Sequence, residues 1–210
     1  MNIHVPNILT STRLMFAPVF FILVFLPDWI GASYGPVFIL LSAIFLYIEL
    51  TDIVDGYIAR KHDLVSDLGK VLDPFSDVIS RVSYFLAFVV LDIMPPVVFL
   101  LILYRELGIV FVRMMLAQRG ISLAARKGGK AKSVLYFLAS VLGLVMLGDV
   151  WFGWFEAVQV SVPAVGGFSR LVRVVTHSVF WLAALFAILS FVDYLLVFAR
   201  HVRAGKGGEQ

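Results

Sequence analysis

The chain has 210 residues, 61% of them hydrophobic and 15% charged, with a mean hydropathy of +0.97. A soluble domain is about half apolar and about a quarter charged, so this composition excludes one and marks an integral membrane protein. The formal net charge of +3 comes from 17 Lys and Arg against 14 Asp and Glu; the cations lie beside apolar spans rather than on one solvated stripe, which argues against nucleic acid and for anionic lipid headgroups and phosphorylated substrates.

One crossing of a roughly 30 Å hydrocarbon layer takes about 20 residues, so the chain has room for about six helices in one domain, 1–204, followed by a flexible Gly-rich tail, 205–210. Residues 1–13, punctuated by Pro6-Asn7, predict a short interfacial helix leading into a first span that ends near Leu26. No small-residue cleavage site closes a short apolar core there, so the segment is expected to be retained.

After a turn at 27–36, a second helix over 37–60 carries Glu49, Asp52, Asp55 and Arg60 in its last three turns. A third, 68–91, begins with Lys70, Asp73, Asp77 and Arg81 and is apolar from Val82 onward. Pro95-Pro96 separates it from a fourth, 97–118, interrupted by Arg105, Glu106 and Arg113. A basic connector, a fifth span over 133–147, an aromatic segment at 149–173 suited to the membrane interface and a sixth span over 174–199 complete the chain.

The expected fold is thus all-α, with six transmembrane helices plus a short N-terminal interfacial helix. Lys and Arg near the span ends gather on the side of Arg60, Lys130, Lys132 and Arg203, against Arg170 and Arg173 on the other. The positive-inside rule then puts both termini and the charged hairpin of helices two and three in the cytoplasm.

That hairpin carries the chemistry. Asp52 and Asp55 are three residues apart and Asp73 and Asp77 four apart, so each pair lies on one helix face. With no cysteine in the chain, and no ligand spacing among His4, His62, His177 and His201, oxygen donors and hard cations are left. Four converging carboxylates suit Mg²⁺ or Mn²⁺, as one ion or as a pair about 4 Å apart that clamps a phosphoryl-type displacement. The bland alternative, a solvated helix end paired with Arg60, Lys61 and Arg81, accounts for two such residues better than for four. Gly56 and Gly69 remove side-chain bulk where helices or a nucleotide approach.

The whole pattern, Asp52-x-x-Asp55-Gly56-x-x-Ala59-Arg60, eight residues, then Gly69-x-x-x-Asp73-x-x-x-Asp77, resembles the signature of the CDP-alcohol phosphotransferase family. The resemblance implies a six-helix membrane enzyme, often dimeric, that transfers a phosphoalcohol from a CDP-linked donor to an acceptor hydroxyl and releases CMP. It implies that Asp52, Asp55 and Asp73 bind the metals with Asp77 close to them, and that Asp77 is the base. Gly56, Ala59, Arg60 and Gly69, with Asn7 and Thr10, would border the donor.

Three further segments resemble the bacterial phosphatidylglycerolphosphate synthases of that family: Pro6-Asn7-Ile8-Leu9-Thr10-x-x-Arg13, Arg105-Glu106 with Arg113, and Gly129-Lys130-Ala131-Lys132-Ser133. They imply CDP-diacylglycerol and sn-glycerol 3-phosphate as substrates, a homodimer and a bacterial cytoplasmic membrane. Arg105, Arg113, Lys130 and Lys132 would supply the cations for the acceptor phosphate, although the lysines also satisfy the positive-inside rule.

Val78 and Ser133 stand where those synthases carry Lys and Thr, which leaves inositol phosphate, serine and phosphatidylglycerol open as acceptors. A divalent-cation transporter is the alternative of another class; it would need a polar path where the third helix is apolar.

Overall fold

A computed structural model describes residues 5–61, 67–117, 128–161 and 167–206. Among the described residues every regular element is a helix: α1 (Val5–Ile30), α2 (Tyr34–Lys61), α3 (Asp67–Val90), α4 (Pro96–Ala117), α5 (Gly128–Phe152), α6 (Trp154–Ser161) and α7 (Phe168–Lys206). Among the described residues, four stretches are long and apolar enough to cross a membrane: Ile8–Ile30, Tyr34–Asp52, Lys132–Phe152 and Phe168–Ala199. In lipid a helix satisfies its own backbone hydrogen bonds, and the chain is accordingly an all-α integral membrane protein. α3 and α4 have 24 and 22 residues, enough to span, but carry the charges of the candidate site.

The N-terminal segment differs from the expectation. α1 is one continuous helix, and among the described residues no separate interfacial helix precedes the first span. Pro6 falls in its first turn, where a missing N–H breaks no helical bond. α1 ends at Ile30, and Gly31, with a φ of 69°, closes it by donating its N–H to the Pro27 carbonyl at 2.9 Å. α5 also begins earlier and ends later than its apolar core suggests, and α7 continues to Lys206, so the expected tail is helical up to that residue; 207–210 lie outside the described residues.

The chain divides into two compact units. The first comprises Met1–Ile93 and Leu144–Trp154, with α1 packed against both α2 and α3. Its centre is Tyr84 of α3, which meets Phe20 of α1 edge-on at 4.8 Å and Phe45 of α2 at 5.3 Å. Edge-to-face rings of this kind contribute beyond the area they bury.

At the start of α2, Phe38 lies among Trp151, Phe152 and Trp154, at centroid distances of 6.2, 5.6 and 5.2 Å. Tyr34, in the first turn of α2, joins the same aromatic group through Trp151 at 5.1 Å, and Asp52 lies 18 residues beyond Tyr34, or about 27 Å at about 1.5 Å per residue. One end of this unit is therefore aromatic and the other carboxylate-rich, a separation close to the thickness of the hydrocarbon layer.

The second unit comprises Met94–Gly143 and Phe155–Gln210, with α4 packed against α7. Ala183, Ala184 and Ala187 are buried on α7, and Val98, Ile102, Ile109 and Val112 on α4. Gly108 of α4 admits the Phe191 ring of α7 so closely that a Cβ there would lie 2.6 Å from its Cζ.

Candidate active site

In the first unit, the polar turns of α1 face the ends of α2 and α3. Thr10 and Arg13 are three residues apart on one face of α1, and both are buried, at 0% and 1% exposure. Arg13 Nη1 donates to Asp52 Oδ1 of α2 at 2.5 Å and to Asp77 Oδ1 of α3 at 3.2 Å. Arg81, one turn after Asp77, donates to its other oxygen at 3.4 Å. Thr10 Oγ1 donates to Asp73 Oδ1 at 2.7 Å, and Ser76 Oγ reaches the Thr10 carbonyl at 3.5 Å. A buried arginine is tolerable because its charge is matched by two carboxylates.

Three of the four signature aspartates, Asp52, Asp73 and Asp77, are thus held on one polar face of α1 by two residues of the Asn7-x-x-Thr10-x-x-Arg13 segment. The fourth, Asp55, lies one turn beyond Asp52 on α2. Gly56, Ala59 and Arg60 follow it there, Gly69 lies on α3, Lys130 on α5 and Asn7 on α1. The side-chain positions of these seven residues lie outside the described residues.

The donor set suits a hard divalent cation. It is carboxylate oxygen throughout, and Asp52 and Asp77 already aim one oxygen each at the same cationic nitrogen. Both carboxylates remain open to solvent, with side chains 48% and 31% exposed. Among the described residues, no three Asp, Glu or His close on one point by themselves.

The cations proposed for an acceptor phosphate lie in the second unit, and two of them are already engaged. Arg105 Nη1 donates to Glu106 Oε1 at 2.8 Å, and Lys132 Nζ of α5 donates to the same oxygen at 2.7 Å. All three residues are buried. Arg105 also donates from Nε and Nη2 to Ser190 Oγ of α7, at 3.2 and 3.0 Å, and Lys132 lies 4.7 Å above the Tyr136 ring. Arg113 does not join this cluster; it donates to the Tyr194 hydroxyl at 3.2 Å and lies over that ring.

Sequence reasoning missed two things here: Arg13 as the cation shared by Asp52 and Asp77, and Lys132 as a donor to Glu106 alongside Arg105, whose pairing with Glu106 adjacency in the sequence allows. The three-residue spacing of Thr10 and Arg13 is the signal that would have given the first.

The model of the CDP-alcohol phosphatidyltransferase family matches residues 3–165 of the chain. The chain is 36% identical over 200 residues to a CDP-diacylglycerol–glycerol-3-phosphate 3-phosphatidyltransferase of Treponema pallidum, covering 90% of this chain and 86% of that one. It is 35% identical to the protein of the same name in Bacillus subtilis, over 65% of this chain and 74% of that one. It is 33% identical to a probable phosphatidylglycerophosphate synthase of Mycobacterium tuberculosis, over 69% and 66% of the two chains. With the family model spanning the carboxylate hairpin and the α1 segment that holds it, the chain belongs to the CDP-alcohol phosphatidyltransferase family.

Proposed function

We propose that the protein transfers a phosphatidyl group from CDP-diacylglycerol to sn-glycerol 3-phosphate, giving phosphatidylglycerol phosphate and CMP. The observation that carries this reading is the gathering of Asp52, Asp73 and Asp77 onto the Thr10–Arg13 face of α1, in a chain whose relatives bear that activity in their names.

Asp52, Asp55, Asp73 and Asp77 would hold Mg²⁺ or Mn²⁺, two ions in this reading; when bound, such ions neutralise a diphosphate and stabilise the departing CMP oxygen. Asp77 takes the proton of the acceptor hydroxyl as that oxygen bonds to the phosphorus bearing the diacylglycerol. The bond from that phosphorus to the CMP oxygen breaks, and its electron pair leaves with CMP. Asp77 offers a carboxylate oxygen as the proton acceptor and suits a hydroxyl acidified during transfer.

Asn7, Thr10, Gly56, Ala59, Arg60 and Gly69 border the donor in this reading. Arg105, Arg113, Lys130 and Lys132 attract the acceptor phosphate, with Glu106 fixing Arg105 and Lys132 beside each other. The two cations against one anion leave that cluster a net positive charge toward a phosphate.

The same reading makes 1–204 one membrane domain of six spans, with α3 and α4 crossing as well and their charges at the cytoplasmic end. It places a homodimer in a bacterial cytoplasmic membrane with the site facing the cytoplasm, supported by the side on which Lys and Arg accumulate. The test is incorporation of labelled glycerol 3-phosphate into lipid by purified protein supplied with CDP-diacylglycerol and Mg²⁺. Incorporation that disappears in Asp77→Asn supports the assignment; none with the unaltered protein sinks it.

A further inference from the structure

Arginine usually meets carboxylates through its fork, two nitrogens to two oxygens of one partner. At Arg13 one of these nitrogens serves two partners. Its single Nη1 is shared by Asp52 Oδ1 and Asp77 Oδ1, from two different helices, at 2.5 and 3.2 Å. One oxygen from each carboxylate therefore points at a compact positive site, which is the arrangement of donors around a small cation. The arginine side chain is 1% exposed whereas the two carboxylates are 48% and 31% exposed, so the guanidinium lies beneath the pair and the carboxylates stay accessible.

The charges make this placement consequential. Asp52, Asp55, Asp73 and Asp77 carry four negative charges along α2 and α3, and one buried positive charge from α1 is held against two of them. Without it the paired carboxylates would repel each other, with only Arg81 beside Asp77 to offset them. With a divalent ion on the same oxygens, the guanidinium faces a like charge at close range, in surroundings that screen less than water.

We infer that Arg13 is a tethered counter-cation of the carboxylate cluster, which neutralises Asp52 and Asp77 while no metal is bound and weakens the binding of a divalent ion to them. The inference rests on the metal site proposed above. It makes Arg13 a positioning residue that stabilises the empty cluster and eases exchange of the ion, where a purely structural ion pair would only tie α1 to its neighbours.

The experiment is binding of Mn²⁺ alone, without substrate, to full-length protein in lipid nanodiscs, followed by the loss of the free-ion paramagnetic signal, with thermal unfolding recorded in parallel. Asp52→Asn identifies binding at this cluster by abolishing it. Arg13→Gln is expected to tighten Mn²⁺ binding by at least about tenfold, given the Coulomb energy of close charges near a protein surface. It is also expected to lower the unfolding temperature without metal and to enlarge the rise in that temperature on adding Mn²⁺.

Arg13→Lys keeps a charge but on a flexible, strongly hydrated ammonium in place of the rigid guanidinium plane, and it is expected to bind Mn²⁺ with an affinity between those of the unaltered protein and the glutamine variant. It also serves if the glutamine variant does not fold. Binding weakened or unchanged in both variants overturns the inference while leaving the metal site standing. No Mn²⁺ binding sensitive to Asp52→Asn in the unaltered protein overturns both.

Discussion

Lys132 Nζ lies 2.7 Å from Glu106 Oε1, an oxygen that also accepts from Arg105. This contact ties α5 to α4 inside the second unit through one buried carboxylate between two buried cations. Removing the carboxylate takes a counter-charge from two buried cations, and breaking a buried pair in this way costs about 3–5 kcal/mol. Glu106→Ala should therefore lower the unfolding temperature sharply in detergent or nanodiscs, and Glu106→Gln should lower it less because the amide oxygen still accepts. An unfolding temperature unchanged in Glu106→Ala would mean that Arg105 and Lys132 do not depend on this acceptor.

Gly108 is a second point of close approach. A Cβ there would meet Cζ and Cε2 of Phe191 at 2.6 and 2.7 Å, and a rigid ring has little room to retreat. Gly108→Ala gains helix propensity of about 1 kcal/mol but overpacks the α4–α7 contact at about 1–3 kcal/mol. Net destabilisation is expected, relieved when Phe191→Leu is added. Thermal unfolding of the single and double variants decides it, and a stabilised Gly108→Ala would be the opposite result.

Thr10 is fully buried and its hydroxyl donates to Asp73 at 2.7 Å. Valine has nearly the same shape without the donor, and a hydrogen bond to a charged group contributes about 1.5–3 kcal/mol. Thr10→Val should reduce kcat/KM by about tenfold or more on that scale, with Thr10→Ser restoring most of it. Equal loss in the serine variant would point to packing rather than to the hydroxyl.

Chelation and Asp77→Asn should separate two roles of the cluster. EDTA is expected to abolish turnover, and Mg²⁺ or Mn²⁺ to restore it. Asp77→Asn should lower kcat by about 10²–10⁴, the usual contribution of a positioned base, while CDP-diacylglycerol binding stays measurable. Turnover retained in Asp77→Asn would place the base on another residue.

The helices and the carboxylate hairpin were legible in the sequence for physical reasons. Apolar runs of about 20 residues have few other fates, and offsets of three and four fix a helix face whatever surrounds it. Asp52 and Asp55 could thus be placed on one face of a helix, and Asp73 and Asp77 on one face of the next, from spacing alone; that α2 and α3 meet on α1 could not. The continuity of α1 was not legible, because Pro6-Asn7 reads as a break unless the helix is known to start just before it. The ends of α5 were hidden by Gly128, Gly129 and Gly148, which weaken a helix pattern; Gly148 lies against the Trp154 ring in the folded chain.

Partner choice was the least legible layer. Nothing local to Arg13 says that it will serve carboxylates 39 and 64 residues away, and nothing local to Lys132 names Glu106 rather than a lipid phosphate. Such pairings are fixed by which helix faces meet, information that lies in tertiary packing. Val78, where a cation was expected, is buried at 5% exposure, so at that position the chain has core instead of charge.

The central claim is the identity of the acceptor, and CMP release tests it most directly. Purified protein with Mg²⁺ and CDP-diacylglycerol is offered glycerol 3-phosphate, inositol phosphate, serine or phosphatidylglycerol, one at a time. The account predicts CMP with glycerol 3-phosphate alone, together with phosphatidylglycerol phosphate as the lipid product. CMP formed with another acceptor and none with glycerol 3-phosphate would contradict it.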